Sequence, residues 1–217
     1  MIQGEQCMVI GDTHFNNSYP GYLESQIESC YKMVSKAKPK YIVFLGDIYH
    51  HRKPSPEVIV GVNGLFNRLA LVPNRKVDLV DQTKFDPDLN FLLIPHYEDE
   101  KIIRESLEFA ENVDTIVFGH FGFEGCMNST GFFDFALQKE DFNNRTILGH
   151  IHAYSKHDNI TVLGTPWSTN FGECDQTHYT GMLTRSKDGS WGDLELEEIT
   201  YSPRHYVVQE DSLEPMG

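Results

Sequence analysis

Six residues with metal-ligating side chains stand at matching places along the chain: Asp12, His14, Asp47, His120, His150 and His152. Each belongs to a short motif that follows an apolar run. CMVI leads to Gly11-Asp12-Thr13-His14, YIVFL to Gly46-Asp47, TIVF to Gly119-His120, and TIL to Gly149-His150-Ile151-His152. Two carboxylates and four imidazoles make a nitrogen–oxygen donor set without thiolate. Such a set suits manganese, iron, zinc or nickel and differs from the cysteine-rich sets of structural zinc. Six donors exceed what one tetrahedral ion takes, so two ions sharing a carboxylate is the economical arrangement, with Asp47 the natural bridge. Two ions roughly 3.5–4 Å apart can ionise a water between them and hold both oxygens of an in-line phosphoryl displacement. The expected chemistry is phosphoester hydrolysis without a covalent enzyme intermediate.

Taken singly, each signal is weak. A Gly-Asp pair after a strand is often only a turn, and a lone buried histidine is usually a core residue with its hydrogen bonds satisfied. The shared context of all six residues carries the reading. His157, His178 and His205 lack that context and read as surface or structural residues. His96, after FLLI and Pro95, has half of it and reads as structural or as an outer partner of the ligands.

The elements that must position these residues are legible from periodicity. The apolar runs are four or five residues long and rich in Val, Ile, Leu and Phe, as expected for strands buried on both faces. Leu23, Ile27, Tyr31 and Val34 recur at helical spacing before Pro39. Val58, Val62, Leu65 and Leu69 do so after Ser55-Pro56, a cap and first-turn pair. Ile103, Leu107 and Ala110 mark a third helix. Strand–helix alternation implies an α/β sheet with helical covers, and ligands gather beyond the carboxyl ends of strands in such folds. Later, Tyr179 to Arg185, a turn at Lys187–Ser190 and the alternation Leu194, Leu196, Ile199 predict a hairpin, and with it a second sheet, antiparallel at its end. One domain is expected over 1–217, with its core at about 7–185, the hairpin at 179–201 and a frayed tail at 210–217.

Composition sets outer bounds. Hydrophobic content of 40% with 12% aromatic residues is globular. A net charge of −14, from 32 acidic and 18 basic residues, argues against a protein that coats nucleic acid with a basic surface. A nuclease is still allowed, because bound cations can contact phosphate locally. Cys7, Cys30, Cys126 and Cys174 form no CxxC pair, so free thiols in a reducing cytoplasm are expected. No leader pattern or long apolar run is present, which predicts a soluble cytoplasmic protein without membrane contact.

"GDTH", "GDIYH", "GHFG" and "GHIH", in this order, resemble the calcineurin-like metallophosphoesterase superfamily. "GDIYHHRKPSPE", "FLLIPHYED", "VFGHFGFEG" and "GTPWSTNFGE" are similar to segments of its SbcD-type repair and recombination nucleases, over roughly residues 7 to 185. The resemblance implies a two-sheet α/β/β/α sandwich with the metal site at the C-terminal ends of the strands. It places Asp12, His14, Asp47 and His152 on one ion, and Asp47, His120 and His150 on the other, manganese being the first choice. It assigns His50 a catalytic role beside the metal centre. Thr165 to Glu173 would line the substrate groove, with Thr165, Trp167 and Phe171 as substrate-binding residues; Trp167 and Phe171 could stack on a base or pack beneath the loop. DNA as substrate, an SbcC-type ATPase partner and a homodimer are further implications, and the short chain suggests a phage-encoded or minimal version in the host cytoplasm.

One family element is absent. A Gly-Asn-His-Asp/Glu motif, whose asparagine ligates the second ion and whose histidine protonates the leaving group, should precede Gly119-His120, yet residues 53 to 118 contain none. Asn67 and Asn74 are the nearest asparagines and lack the strand–glycine context. A segment missing from this sequence, loss of the motif, or takeover by His50 or His51 would each account for the gap. Beside the DNA phosphodiesterase, two alternatives therefore stay open: a small-substrate nucleotide phosphoesterase, and an impaired phosphoesterase fold kept as a binding module.

Overall fold

The computed structural model describes residues 4–71, 80–110, 112–126 and 137–205. Asn74 and the tail at 210–217 lie outside the described residues. In chain order the elements are β1 (Gln6–Ile10), α1 (Tyr22–Ala37), β2 (Tyr41–Phe44), α2 (Pro56–Ala70), β3 (Lys84–Asp86), β4 (Phe91–Ile94), α3 (Glu100–Leu107), β5 (Ile116–His120), β6 (Thr146–Gly149), β7 (Ser155–His157), β8 (Ile160–Val162), β9 (Tyr179–Thr184) and β10 (Glu195–Glu198).

The strands form two mixed sheets, in the orders β10-β9-β1-β2 and β3-β4-β5-β6-β8-β7. In the first, β1 runs parallel to β2 and antiparallel to β9. In the second, β4, β5, β6 and β8 are parallel, and β3 and β7 are antiparallel edges. Side chains alternate across a strand, and β1 shows what that does here. Met8 and Ile10 join a core with Leu23, Met33, Val58 and Leu65, from α1 and α2. Cys7 and Val9, on the opposite face, meet Phe91, Ile116, Phe118 and Ile147 of the second sheet. The outer face of that sheet, with Leu92, Val117 and Leu148, packs on Ile103 of α3. Three apolar layers thus order the molecule as helices, sheet, sheet, helix.

Local chemistry accounts for the helices. The Ser55 side chain accepts a hydrogen bond from Val58 N–H, Pro56 opens α2, and Val58, Val62, Leu65 and Leu69 are buried as their spacing predicts. In α1 the buried face is Leu23, Gln26, Ser29, Cys30, Met33 and Val34, while Ile27 and Tyr31 sit at its margin. That helix ends at Lys38, left-handed at φ 52°, just before Pro39.

The expected hairpin is present as β9–β10 and forms the antiparallel end of one of the two sheets, where β9 pairs with β1 and places Leu183 opposite Cys7 in the buried layer. Two expectations need correction. The second sheet starts earlier, and its edges β3 (KFD) and β7 (SKH) are too short and polar to show a periodic signal. The strand β2 is only partly buried along its length, not covered on both faces.

Candidate metal centre

The six sequence-marked residues converge in two groups, Asp12–His14–His152 and Asp47–His120–His150, and the ligand atoms within each group lie within 4.8 Å of one another. They come from the ends of β1, β2, β5 and β6, so both sheets contribute. His14 N–H donates to Asp47 C=O at 2.8 Å and Phe15 N–H to Ile48 C=O at 2.8 Å, which ties the loops after β1 and β2 together beyond the ladder. His150 N–H donates to Asp12 Oδ2 at 2.5 Å and links the second sheet to the first.

Backbone strain concentrates here. His14 (φ 44°), Asp47 (φ 34°) and His150 (φ 80°) occupy the left-handed region, which costs about 1–3 kcal/mol per residue and persists where surroundings impose it. The glycines before the ligands have a steric reason. A Cβ on Gly46 would meet the His120 ring at 2.2 Å, and one on Gly149 would meet Asp12 Oδ1 at 2.4 Å. Each leaves room for a ligand that arrives from the other sheet.

Asp47 Oδ2 lies 3.5 Å from His14 Nε2 and 3.5 Å from His120 Nε2, so a single oxygen faces both groups. His14 Nε2 and His152 Nε2 face each other at 3.0 Å. Asp12 Oδ1 is fully buried without a hydrogen-bond partner, although His120 Nδ1 stands 3.3 Å away. A buried carboxylate oxygen and a ring nitrogen turned toward each other in this way fit a pair of divalent cations, whose charge would replace the hydration these atoms have lost.

The electrostatics of the site follow from burial and this crowding. Burial holds His14 down to about 4, with help from the neighbouring His152. His120 is also penalised by burial, yet the nearby Asp12 and Asp47 carboxylates prevail and raise it to about 10. The His120 hydrogen bond in turn lowers Asp47 to about 2. His150 is depressed by burial and by His120.

Around the ligands, the largest omission of the sequence reading is Glu173. Its carboxylate is fully buried, and Oε1 stands 2.6 Å from His152 Nδ1. Thr169 N–H, Thr169 Oγ1 and Asn170 Nδ2 also donate to it. A carboxylate on the outer nitrogen fixes the histidine tautomer and turns Nε2 to the centre. The available signal was a glutamate closing a loop of hydrogen-bonding residues, Thr169-Asn170-Phe171-Gly172-Glu173. His96 behaves comparably, with Nδ1 3.2 Å from His120 C=O and its ring beside His150. His50 is exposed and stacks edge-on to His14 at 5.5 Å, with His51 at 4.7 Å from it.

The loop after β8 divides its residues. Trp167 is 0% exposed, and its Nε1–H donates to Thr13 C=O at 2.8 Å. Thr165 is buried against His178, whose Nδ1 lies 2.8 Å from its carbonyl. Both therefore hold the loop from below and have no surface to offer a substrate, which corrects their assignment as substrate-binding residues. Phe171, 56% exposed, is the member that reaches solvent. His178 and His205 are buried structural residues. Asn67 is exposed on α2 and belongs to neither ligand group. The four cysteines are free thiols, and no helix among the described residues is long and apolar enough to cross a membrane. No protein-family model and no curated protein matches this chain.

Proposed function

We propose that the chain is a two-metal phosphodiesterase acting on DNA, built on the metallophosphoesterase type of α/β/β/α sandwich and similar to SbcD-type nuclease subunits, with an SbcC-type ATPase as its partner. The observation that carries this reading is the position of Asp47 Oδ2, 3.5 Å from one imidazole of each ligand group. A shared carboxylate between two nitrogen-rich groups is the arrangement that in-line phosphoryl displacement calls for. The donor set suits manganese, iron, zinc or nickel, and the resemblance to SbcD-type nucleases makes manganese the first choice.

Two divalent cations there would supply Lewis acidity toward the phosphoryl oxygens and a nucleophile at neutral pH. The chain's own residues do the rest. Asp12, Asp47, His14, His120, His150 and His152 fix the geometry, and Glu173 holds His152 in the tautomer that leaves Nε2 free. His50 stands at the open rim beside His14, and burial together with His51 and His152 depresses its pKa, so it is neutral and able to exchange a proton with a bound ester.

Manganese-dependent cleavage of DNA, lost in Asp47→Ala, is the required result. Elemental analysis of the purified protein checks the same point independently, and a chain that takes up no divalent ion would refute the reading. Turnover of nucleotides with no cut in oligonucleotide or plasmid would point instead to the small-substrate phosphoesterase. Bound metal with no turnover of any ester would leave the binding module.

A further inference from the structure

Beside the metal centre stands a group of aromatic rings that the ligand chemistry does not use. His205 lies at its middle, with ring centroids of Phe171 at 4.9 Å, Tyr19 at 5.9 Å and Tyr22 at 5.9 Å, all edge-on. Tyr22 and His205 are anchored to one residue: Tyr22 OH donates to Ser168 C=O at 2.7 Å, and His205 N–H donates to Ser168 Oγ at 2.8 Å. Tyr19 and Phe171 are not buried by this packing. They are 50% and 56% exposed, among the largest exposures of any aromatic side chain described. About half of each of these two side chains is therefore open to solvent.

The ledge is continuous with the centre. Phe171 follows Asn170, whose side-chain amide donates to the Glu173 oxygen that also holds His152. Tyr19 lies in the loop that leaves His14, and Asn17 of that loop donates to Glu57 at the start of α2. Just before α2, the exposed Arg52 and Lys53 have no ion-pair partner among the described residues, although the chain carries a net charge of −14.

We infer that Tyr19 and Phe171 form a stacking ledge for unpaired nucleobases of the strand whose phosphate enters the metal centre. This rests on the phosphodiesterase reading and narrows its substrate to single-stranded or frayed DNA. The faces of bases inside a duplex are covered by their neighbours, whereas an unstacked base can lie on an open aromatic ring, whatever its sequence. In an acidic protein whose described residues leave Arg52 and Lys53 as unpaired cations just before α2, charge alone gives a backbone little to follow, so ring contacts must carry much of the grip. Two phosphate contacts predict a log–log salt dependence with a slope of only about −1.4 for a single strand.

The test uses the full chain with manganese and two fluorescent strands of equal length, phosphorothioate-linked to slow cleavage: oligothymidylate and its abasic counterpart. Anisotropy should show tighter binding of the thymidylate strand. Tyr19→Ala and Phe171→Ala should each weaken that binding by about tenfold while leaving abasic binding unchanged, and Phe171→Trp should restore it. Manganese content and thermal melting confirm that each variant keeps its fold and centre. Equal affinity of the native protein for the two strands overturns the ledge, as does a steep salt slope with no effect of either substitution. Loss of the phosphodiesterase reading appears separately, as absence of manganese-dependent hydrolysis of any phosphodiester, the simple bis(p-nitrophenyl) phosphate included.

Discussion

His14 and His152, 138 residues apart, turn their Nε2 atoms to within 3.0 Å of each other. Glu173 fixes one side of this contact, because a hydrogen bond donated from His152 Nδ1 leaves the Nε2 lone pair facing inward. His14 faces it with a ring that burial keeps neutral to about 4. His152 is also penalised by burial, yet the Glu173 hydrogen bond and charge raise it above the ordinary histidine value. Two imidazole nitrogens aimed at one point are still a poor pair for each other and a good pair for a cation that takes the place of the proton.

Glu173→Ala should therefore lower manganese affinity by about 10- to 100-fold, read by competition against a chelating dye. Glu173→Gln, which can still accept from His152, should lose less. The buried network gives a second reading of the same substitution. Thr169 and Asn170 lose their acceptor in Glu173→Ala, so the melting temperature should fall even in chelator. Unchanged metal affinity in a folded Glu173→Ala protein would remove Glu173 from the centre.

Two glycines give a paired prediction. Gly149→Ala places a Cβ 2.4 Å from Asp12 Oδ1 and 3.0 Å from Leu45 Cβ. Overpacking of this kind costs about 1–3 kcal/mol, and here the displaced group is a ligand. Metal affinity should fall by at least about tenfold, together with stability. Gly64→Ala is the counterpart, since its Cβ would meet nothing within 4 Å in the middle of α2. Helix propensity should make that variant more stable by about 0.5–1 kcal/mol, with metal binding unchanged. Melting curves and dye competition on both proteins separate a local packing effect from a general one.

The contrast between these glycines shows what the sequence could and could not reveal. Every ligand was marked by a strand, a glycine and a polar residue, because a buried strand has a strong composition and its end has few conformations. The pairing of ligands across two sheets had no local mark. Gly149 lies against Asp12, far upstream, and only the folded chain brings them together. Glu173 was hidden for a similar reason: its partners Thr169 and Asn170 are ordinary loop residues, and their convergence on one carboxylate depends on a tight turn. The strands β3 and β7 escaped notice because three residues at a sheet edge, mostly polar, are too few to show a period. Trp167 and Phe171, four residues apart in one loop, looked equivalent in sequence, and burial alone separated them.

The pH dependence of the metal-free protein has a defined sign. In the folded state His120 is raised to about 10 by Asp12 and Asp47 against the penalty of burial. A raised pKa contributes stability that is complete below the unfolded value of about 6.5 and is lost as pH climbs through the folded value. Asp47, lowered to about 2, contributes above its unfolded value of about 3.9 and loses that contribution as pH falls. In chelator, thermal stability should therefore decline between about pH 6.5 and 10. On the acid side it should fall below about pH 6.5 as the unfolded chain takes up the proton that buried His14 refuses down to about 4, then further as Asp47 is protonated. Manganese should oppose the alkaline decline, because a cation needs the neutral imidazole and binds more tightly as His120 gives up its proton. His120→Asn should flatten the alkaline limb in chelator. An alkaline limb of equal depth in that variant would show that the Asp12–His120–Asp47 array does not set it.

Trp167 provides the last prediction, because its position argues for support from below and against contact with a ligand. The indole is fully buried, its ring packs on Phe15 at 5.6 Å, and Nε1–H donates to the carbonyl of Thr13, between Asp12 and His14. Trp167→Phe keeps most of the apolar volume and removes that donor. Loss of a buried partner costs about 1–3 kcal/mol, and a domain of this size loses about 2–4 °C in melting temperature for each of them. The freed Thr13 carbonyl should let the Asp12–His14 segment shift, so manganese affinity falls along with stability. At saturating manganese, however, the folded variant should discriminate thymidylate from abasic strands as the native protein does, whereas Phe171→Ala should not. A Trp167→Phe protein that melts normally but loses this discrimination would mean that the indole reaches the nucleobase after all, which its burial beneath Thr13 forbids.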